Sequence, residues 1–489
     1  MKLLFRHDAP FSNCKWIFFL LLFSTGFAPA QVGLNRFIDN PALRHASVGV
    51  SVVDLETGKN IVSYQADRSL TPASVMKLVT TATAIELLGE TYRYETKVVL
   101  DAVHPDRILV IGSGDPTLGS HVFPDERNAF FERSAEALKS ALKPGKTYSI
   151  YVVDNLFGYD GISPEWTWID MGNYYAAGAY GISVFDNTYR LFFNTQDRSA
   201  TPKILRTEPE IRGLTFINQL SLNSSGADNG YIYGAPFSYE RSVRGNIPAG
   251  RAEFSIKGDI PDPGLLLGET FADYLSRAGF EIAEVKTARE DYLDRLPLPH
   301  DKQPYCEGTV IYTHTSHTMA EIIREVNVQS NNHYAEHLIR AIGRYQRKDI
   351  YADPLAAGIE AVHTFWKGVG ISTSSVRMKD GCGLAPQNAV SPLFLTDLLR
   401  YMYRQSGHAT AFFDSLPKAG EEGTLTNFMK KTKYHGKISA KSGSIEGVYC
   451  YAGYLIDGDK KYAFSVMTNK FYGGYSKVRE AMEQFLSGL

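Results

Sequence analysis

The sequence has few cysteines, almost no net charge and no internal repeat. Only 4 of its 489 residues are cysteines, and the three outside the N-terminal segment, Cys306, Cys382 and Cys450, permit at most one intramolecular disulfide. A scaffold stapled by several disulfides is therefore excluded. The formal net charge is −2, without a long block of like charges, so neither nucleic acid nor an acidic membrane surface is expected as a partner.

A hydrophobic run long enough to cross a membrane is also missing near the start of the chain. The apolar segment at residues 16–27 is shorter than the roughly 20 residues that a membrane-spanning helix needs. Three basic residues precede it, and Ala28-Pro29-Ala30 follows as a small-residue cleavage site, which is the order of a secretory signal peptide. We therefore expect residues 1–30 to be removed on export across the inner membrane to the periplasm, which leaves no transmembrane anchor. A retained N-terminal anchor is the alternative.

The remaining chain, residues 31–489, is long enough for two or three domains of about 150 residues each. Its apolar periodicity predicts an N-terminal hairpin, then a helix over residues 73–88. Residues 95–305 alternate short β-like runs with turns, and from Thr309 the pattern is helical again. Three strands are predicted near the C-terminus, at 437–444, 448–455 and 462–468, and a closing helix follows at 476–486.

These patterns indicate a discontinuous architecture. Residues 31–95 and 305–489 are expected to form one α/β domain, an antiparallel sheet flanked by helices, in which the terminal strands pair with the N-terminal hairpin. Residues 96–304 are expected to be an insertion of one or two mostly β subdomains beside a cleft.

The segment Ser74-Val75-Met76-Lys77 is the first candidate for chemistry. Residues i and i+3 share a helix face, so the serine hydroxyl and the lysine amine can meet. Serine becomes nucleophilic when a base takes its proton, and lysine is such a base near neutral pH only when burial or a neighbouring cation lowers its pKa. The amides at the helix start favour developing negative charge. An isolated Ser-x-x-Lys match is nevertheless more often a solvated helix face.

Two further triplets change this assessment. Ser330-Asn331-Asn332 lies in a polar break before a predicted helix, and Lys441-Ser442-Gly443 lies on a predicted strand, followed by Ser444. Gly443 is expected to matter because a side chain there blocks close approach of substrate to the strand. The combination of Ser-x-x-Lys, a Ser-x-Asn triplet and a Lys-Thr-Gly-like triplet, in this order, occurs in penicillin-binding proteins and class A β-lactamases.

With these motifs the chain resembles the low-molecular-mass class C penicillin-binding proteins, which are D-Ala-D-Ala carboxypeptidases and endopeptidases. The resemblance covers essentially the whole chain after residue 30 and includes Gly114-Asp115-Pro116-Thr117-Leu118, Tyr334-Ala335-Glu336 and Asp380-Gly381-Cys382-Gly383-Leu384. The long separation between Ser74 and Ser330 is typical of the family and argues against a compact β-lactamase. The resemblance implies an α/β (α+β) domain like that of the penicillin-binding transpeptidases and β-lactamases, with a large mostly β insertion.

The resemblance also implies a function, a serine-type hydrolase of peptidoglycan stem peptides that β-lactams inhibit covalently. Ser74 is expected to attack the carbonyl of the penultimate D-alanine after Lys77 takes its proton. Ser330 is expected to relay a proton to the leaving amine, and Asn332 to hold the amide on the acyl side. Lys441 is expected to attract the terminal carboxylate and to keep Lys77 neutral.

The strand motif and the insertion supply the remaining expected contacts. Ser442 and Ser444 are expected to donate hydroxyl hydrogen bonds, and the backbone amides of Ser74 and Ser444 to form the oxyanion hole. Asp170 lies in a segment that resembles the part of the insertion whose aspartate faces the active site in relatives. It is predicted to bind the free amino group of a diaminopimelate residue, and a structural aspartate is the equal alternative. No metal or organic cofactor is expected.

One loop departs from the family pattern. The family sequence Asp-Gly-Ser-Gly-Leu-Ser-Arg is replaced at three positions, by Cys382, Ala385 and Pro386. Because the arginine of relatives helps to hold the side chain of the substrate, the preference for a particular stem peptide stays open. Cys382 is interpreted as a small buried cysteine rather than a reactive thiol.

Three alternatives remain at this point. His333-Tyr334-Ala335-Glu336-His337 matches the H-x-x-E-H pattern of inverted zinc peptidases, with both histidines on one helix face. A non-catalytic protein of the same fold that only binds peptidoglycan is the second, favoured only by the altered loop at Cys382. A serine esterase that uses the same Ser-Lys pair is the third. The balance of carboxypeptidase and endopeptidase activity, the oligomeric state and any disulfide are not determined by the sequence.

Overall fold

The computed structural model describes residues 29–294, 307–348 and 352–489. The apolar run of the predicted signal peptide and Cys306 lie outside these residues. Cys382 and Cys450 are both buried free thiols. Across the three described ranges, no helix is both long and apolar enough to pass through a bilayer.

The described residues form strands and helices in the following chain order. The strands are β1 Ser47–Asp54, β2 Asn60–Tyr64, β3 Glu95–Asp101, β4 Arg107–Ile111, β5 Thr147–Val153, β6 Thr188–Asn194, β7 Lys203–Glu208, β8 Thr215–Asn223, β9 Asn229–Tyr233, β10 Glu240–Pro248, β11 Phe254–Asp259, β12 Glu281–Thr287, β13 Gly308–Thr315, β14 Ile438–Ile445, β15 Val448–Asp457 and β16 Lys460–Asn469. The α-helices are α1 Pro29–Ile38, α2 Met76–Leu88, α3 Ala129–Leu138, α4 Pro263–Arg277, α5 Ala288–Asp294, α6 Met319–Val328, α7 Asn332–Gln346, α8 Pro354–Gly368, α9 Pro392–Arg404, α10 Ala409–Asp414 and α11 Tyr475–Ser487.

One five-stranded sheet joins the two ends of the chain. Its order is β14-β15-β16-β1-β2, and every pair in it is antiparallel. Val50 of β1 lies opposite Val466 of β16, so the predicted pairing of the N-terminal hairpin with the terminal strands is confirmed. The three predicted terminal strands and the closing helix also agree with β14, β15, β16 and α11 to within a few residues.

Helices cover both faces of this sheet. Helices α1 and α11 lie on one face, where Phe37 stacks on Phe485 with 5.4 Å between ring centroids, above buried Val52 and Phe464 of the sheet. On the other face α2, α7 and α9 form the larger core, which includes fully buried Trp366 of α8. Alternate residues of a strand point to opposite faces of the sheet. Since helices cover each face, both sets of residues in the central strands are apolar.

Helix α2 runs through the middle of the larger core. Every residue from Met76 to Ile85 is buried, whereas a surface helix would bury one stripe. Its buried threonines bond to carbonyl groups, as when the Thr80 hydroxyl donates to Gly381 O at 2.7 Å and that of Thr83 to Val79 O at 2.7 Å. Lys77, the only charged residue in this buried stretch, is therefore held inside the protein.

The residues between β2 and α6 form the other three sheets. Their orders are β12-β5-β4-β3-β13, β8-β10-β9 and β11-β6-β7. Helices α3 and α4 contribute Phe130, Phe131 and Phe271 to the core between these elements. The division of the chain into residues 31–95 with 305–489 and an insertion at 96–304 stays a prediction.

One sequence-based element is wrong. Residues from Thr309 were expected to be helical, but Gly308–Thr315 is strand β13, paired antiparallel with β3. Its β-branched and aromatic residues, such as Val310 and Tyr312, are typical of strands. By its pairing, β13 belongs with the sheet that precedes α6, and the helical pattern begins only at Met319.

Candidate active site

The hydroxyl of Ser74 and the amine of Lys77 meet at the start of α2. Ser74 lies in a single 3-10 turn, Ala73–Val75, which leads directly into the helix. The Nζ atom of Lys77 is 3.0 Å from Ser74 Oγ, 2.6 Å from Asn332 Oδ1 and 2.7 Å from the carbonyl oxygen of Cys382. A neutral amine has two hydrogens and one lone pair. When the two carbonyl-type oxygens accept the hydrogens, the lone pair is left for the Ser74 hydroxyl.

Burial sets the protonation of this lysine. The side chain of Lys77 is inaccessible to solvent, and this desolvation lowers its pKa, although the charges of Asp380 and Glu336 act in the opposite direction. Removal from water disfavours the charged ammonium. The amine beside Ser74 is therefore closer to the neutral form that can accept a proton than a surface lysine is.

The second motif precedes helix α7 and reaches the same amine. Asn331 caps the helix, since its side chain accepts a hydrogen bond from Tyr334 N at 3.1 Å. Asn332 is oriented by its amide, which donates to the carbonyl of Tyr175 at 2.8 Å, so its Oδ1 faces Lys77. Ser330 has φ +62°, a left-handed backbone that non-glycine residues seldom adopt, and its Oγ accepts a hydrogen bond from Lys441 Nζ at 2.9 Å.

The third motif lies on β14, the edge strand of the five-stranded sheet. A segment at residues 417–419, here called the covering segment, pairs with the first part of this edge. The pairing ends where Ala440 N donates to Pro417 O at 3.1 Å. The open part of the edge therefore begins at Lys441. An uncovered strand edge presents N–H and C=O groups that an extended peptide can pair with.

Side chains alternate along β14 in a way that suits this edge. Lys441 is buried, and its pKa is lowered by desolvation and by the neighbouring Lys77. The Ser442 hydroxyl donates to Thr424 Oγ1 at 2.8 Å, and Ser444 is exposed to the cleft.

The structure shows a reason for a glycine at position 443 that the sequence did not indicate, while the room that Gly443 leaves for substrate stays a prediction. A Cβ atom at this position would lie 2.5 Å from Pro72 O and 3.0 Å from Ser74 N, distances that real Cβ contacts do not tolerate. The missing side chain thus lets β14 pack directly against the backbone that carries the nucleophile. It fixes the spacing of the Ser74 amide and the strand, in addition to any room that it leaves for substrate.

We expect Gly443→Ala to slow acylation of Ser74 by roughly 10²-fold, because the strand and the Ser74 turn must separate and misplacement by about 1 Å costs that much. The measurement is the rate at which a labelled penicillin reacts with the purified protein. Gly407→Ala is the matched control, since a Cβ at Gly407 meets nothing within 4 Å. Equal rates for the two variants would contradict the assigned role of Gly443.

Two buried carboxylates hold the loop that approaches Lys77. Glu336 Oε1 accepts hydrogen bonds from the amides of Gly381 at 2.7 Å and Cys382 at 2.9 Å, while its Oε2 accepts from Arg340 Nη1 at 2.7 Å. Asp380 accepts from four donors, the amides of residues 383 and 385 and the side chains of residues 388 and 166. The loop backbone is thereby fixed with the carbonyl of Cys382 aimed at Lys77.

The same two carboxylates and Cys382 lie close enough to hold a metal ion, and within the described ranges they are the one such trio. Their ligand atoms are already used, however, since four oxygens of Glu336 and Asp380 accept the hydrogen bonds above. Burial also raises the pKa of the Cys382 thiol well above its usual value, which keeps it in the protonated form that does not ligate metals. The trio therefore serves as a structural support for the loop.

Six residues of the predicted site share one cavity. A cavity of about 680 Å³, here called the catalytic cavity, is lined by Ser74, Asp170, Ser330, Asn332, Ser442 and Ser444. Lys77 and Lys441 lie beneath its floor. Asp170 Oδ2 accepts hydrogen bonds from the amide of Thr167 at 3.2 Å and from its hydroxyl at 2.5 Å. Asp170 thus combines a local structural contact with a position on the cavity wall.

Each histidine of the zinc alternative makes an internal hydrogen bond through one ring nitrogen, while His333 Nδ1 and His337 Nε2 have no hydrogen-bond partner among the described residues. His333 Nε2 is 2.7 Å from Ser183 Oγ, and His337 Nδ1 donates to Gly114 O at 2.8 Å. Burial lowers the pKa of His333 to about 4. Glu336, which would complete the motif, bonds to Arg340 and to the loop amides instead. The described trio of possible ligands includes neither histidine, so the arrangement does not support a zinc centre.

Three contacts of the site could not be expected from motifs. The carbonyl of Tyr175 orients Asn332, Thr424 bonds Ser442, and Glu336 holds the loop at Cys382. The first is a backbone group, which carries no sequence signal. The role of Glu336 had an ambiguous signal, since it appears both in the zinc pattern and in the Tyr-Ala-Glu segment of the family.

Comparison with known proteins places this geometry in context. A protein-family model described as the D-Ala-D-Ala carboxypeptidase 3 (S13) family matches residues 30–489. The chain is 28% identical over 460 residues to a D-alanyl-D-alanine carboxypeptidase from an Actinomadura species, covering 90% of this chain and 81% of the relative.

Solved structures give the same picture for the fold. The crystal structure of penicillin binding protein 4 from Haemophilus influenzae superposes with a TM-score of 0.75 at 18% identity, covering 93% of this chain and 97% of that one. A structure of the same protein complexed with a β-lactam gives a TM-score of 0.71. The similarity confirms the predicted penicillin-binding fold class.

Proposed function

The chain belongs to the D-Ala-D-Ala carboxypeptidase 3 (S13) family and is a serine-type hydrolase of D-alanyl-D-alanine peptides. We propose that Ser74 is its nucleophile and that Lys77 is its general base. The observation that carries the proposal is the 3.0 Å contact between Lys77 Nζ and Ser74 Oγ, made by a lysine whose pKa burial lowers. Nucleophile and base within hydrogen-bond reach, with the base oriented by further groups, is the arrangement that covalent catalysis needs.

In the proposed acylation step, Ser74 Oγ attacks the carbonyl carbon of the penultimate D-alanine while its proton moves to Lys77 Nζ. Negative charge then develops on the carbonyl oxygen, where the amides of Ser74 and Ser444 act as the oxyanion hole. The carbon–nitrogen bond breaks, and the leaving amine takes a proton through Ser330, which accepts a hydrogen bond from Lys441. Water then hydrolyses the ester and restores the Ser74 hydroxyl.

Substrate orientation is assigned to the open edge of β14. The acyl-side amide pairs with Asn332 and the terminal carboxylate with Ser442, Ser444 and the charge of Lys441. Asp170 is proposed to receive a cationic group on the stem-peptide side chain, since it lines the catalytic cavity. We propose that the enzyme works in the periplasm on peptidoglycan, where this substrate lies and to which the predicted signal peptide would export it.

The decisive experiment is the intact mass of the protein after incubation with a labelled penicillin. We expect a single adduct on the parent and none on Ser74→Ala, because the β-lactam carbonyl acylates the same hydroxyl. Hydrolysis of a D-Ala-D-Ala peptide should fall at least about 10⁴-fold in the variant, as for other serine nucleophiles.

Ser442→Ala is the matched control for the loss of a hydroxyl in the same cavity, and it should still form the adduct. A parallel assay in EDTA addresses the zinc alternative and should leave the rate unchanged. A folded parent protein that forms no adduct, or a Ser74→Ala variant that still forms one, would contradict the proposed nucleophile.

A further inference from the structure

A second cavity adjoins the catalytic cavity and contains charged groups that the proposed reaction does not use. Its volume is about 520 Å³, and it is here called the charged cavity. The two cavities share Tyr174, Tyr175, Ser330 and Asn332 in their walls. They therefore meet at the Ser-x-Asn triplet.

Both signs of charge line this cavity. Lys257 of β11 is exposed, with its ammonium 5.6 Å from the centroid of the Tyr174 ring. His121 Nδ1 is 2.6 Å from Asp186 Oδ2, and this hydrogen bond raises the pKa of His121. Glu325 of α6 accepts a hydrogen bond from Asn331 Nδ2 at 3.3 Å. The walls thus offer Lys257, His121 paired with Asp186, and the carboxylate of Glu325 to a ligand that carries both kinds of polar group.

The backbone around the charged cavity is held in unusual conformations. Phe185, Asp186 and Asn187 have consecutive φ values of +54°, +59° and +50°, and Ser330 has +62°. Left-handed conformations are unfavourable for non-glycine residues and concentrate at functional sites. Here they aim the Asp186 carboxylate at the amide and the ring of His121. These contacts with Asp186 therefore fix the position of the His121 side chain.

The position of the charged cavity relative to the scissile bond follows from the proposed roles. Asp170, assigned to the acyl-side peptide, lines the catalytic cavity and also a third cavity of about 750 Å³ with Pro386 and Lys470. That third cavity includes neither Ser330 nor Asn332. Ser330, assigned to the leaving amine, lies instead where the catalytic and charged cavities meet. The charged cavity therefore extends the cleft on the leaving-group side.

We propose that the charged cavity binds the peptide on the leaving-group side of the scissile bond when that peptide is a second, cross-linked stem. The ligand class is an acidic peptide, whose carboxylates face Lys257 and His121 and whose N–H groups face Glu325. The bond that breaks joins the D-alanine carbonyl to the amine of the second stem, and that amine leaves with the proton that Lys77 took from Ser74, relayed through Ser330. This inference rests on the proposed function and specifies it, since a single leaving D-alanine is too small to reach these residues.

The test compares two substrates on Lys257→Met. We expect kcat/KM for a cross-linked muropeptide dimer to fall about fivefold, the scale of one exposed charge contact. Hydrolysis of the single-stem pentapeptide and the rate of penicillin acylation should stay within about twofold, a difference near the noise of surface substitutions. Glu325→Gln should lower dimer turnover in the same selective way. Lys203→Met is the matched control, because Lys203 is an exposed lysine on β7 of the same sheet and should leave both substrates unaffected.

The outcomes separate this inference from the proposed function. An equal loss of kcat/KM on the dimer and on the pentapeptide would overturn the inference, because the residue would then act on the shared part of the site. No loss on either substrate would also overturn it. If the parent protein cleaves the pentapeptide but not the dimer, the inference fails and the proposed function stands. If the parent protein is not acylated by penicillin, the proposed function itself fails.

Discussion

Lys77→Met is expected to slow acylation of Ser74 by about 10³-fold, within the range that a positioned general base contributes. Methionine fills nearly the same volume but has no lone pair of comparable basicity, so the Ser74 hydroxyl keeps its proton. The rate is measured by rapid mixing with a labelled penicillin and quantifying the adduct over time. Lys418→Met, which replaces a lysine on the covering segment of the same sheet edge, is the control and should react at the parental rate.

The fold of the Lys77→Met variant should survive. The substitution removes a buried group that desolvation disfavours in its charged form, which offsets the loss of a hydrogen-bond donor to Asn332 and Cys382. We expect the free energy of unfolding to change by no more than about 2 kcal/mol, because removal of the disfavoured buried amine offsets part of the cost of leaving these two acceptors unpaired. A variant that fails to acylate because it is unfolded would be recognised by its lost near-ultraviolet circular dichroism.

The pH dependence of the parent enzyme provides a second readout of the same lysine. Because the pKa of Lys77 is lowered from 10.5, the neutral amine becomes the major form at a pH below 10.5. The acylation rate should therefore rise with pH and reach half of its maximum below that value. A half-maximum at or above pH 10.5, as for an ordinary surface lysine, would contradict the assignment of Lys77 as the base.

Arg340→Met is expected to be the most destabilising of the substitutions considered, by about 3–5 kcal/mol, the usual cost of leaving a buried charge without its partner. Arg340 and Glu336 are both inaccessible to solvent and form an ion pair at 2.7 Å. Arg340 Nη2 also donates to the carbonyl oxygens of Asp160 and Gly161 at 3.2 and 3.0 Å, so it ties α7 to the segment after β5. Chemical denaturation of the parent and the variant measures the difference.

A double variant separates the uncompensated charge from the lost contacts. In Arg340→Met/Glu336→Gln, the neutral glutamine oxygen can still accept from the amides of Gly381 and Cys382, so a large part of the stability should return. The loss in the single variant should also be smaller at pH 5 than at pH 8. Burial already raises the pKa of Glu336 in the folded state, so the folded state binds a proton more readily than the unfolded state and is favoured as the pH falls. Additive, pH-independent effects would contradict this account.

The sequence allowed the site to be predicted where the chemistry depends on short spacing or on a motif. Ser74 in the 3-10 turn and Lys77 in the first turn of α2 are three residues apart, so their contact follows from the local spacing of the motif. That Ser330, Asn332 and Lys441 would join them followed from the resemblance and not from any periodicity, since the fold brings them from distant parts of the chain. Their roles in catalysis stay predictions.

What could not be predicted depends on packing between distant segments. The close packing of Gly443 against Pro72 and Ser74 is one example, because the sequence does not reveal that these residues lie behind the strand. Strand β13 is another: it was expected to be helical although its β-branched and aromatic residues favour a strand, and its pairing with β3 shows the strand. Glu336 appeared beside two histidines in a zinc pattern, and the rotation of α7 that turns it toward the loop is set by the tertiary structure.

The way in which the Cys382 loop is held has a consequence for reading related sequences. Lys77 Nζ donates a hydrogen bond to the main-chain carbonyl oxygen of residue 382, and every amino acid has such a carbonyl. The side chain at this position occupies a closed space, where a thiol and a hydroxyl differ little in size. Different small residues at this position should therefore leave the hydrogen bond from Lys77 unchanged. A family motif that requires serine there would reject a sequence like this one, although nothing in the described contacts of the loop depends on the hydroxyl.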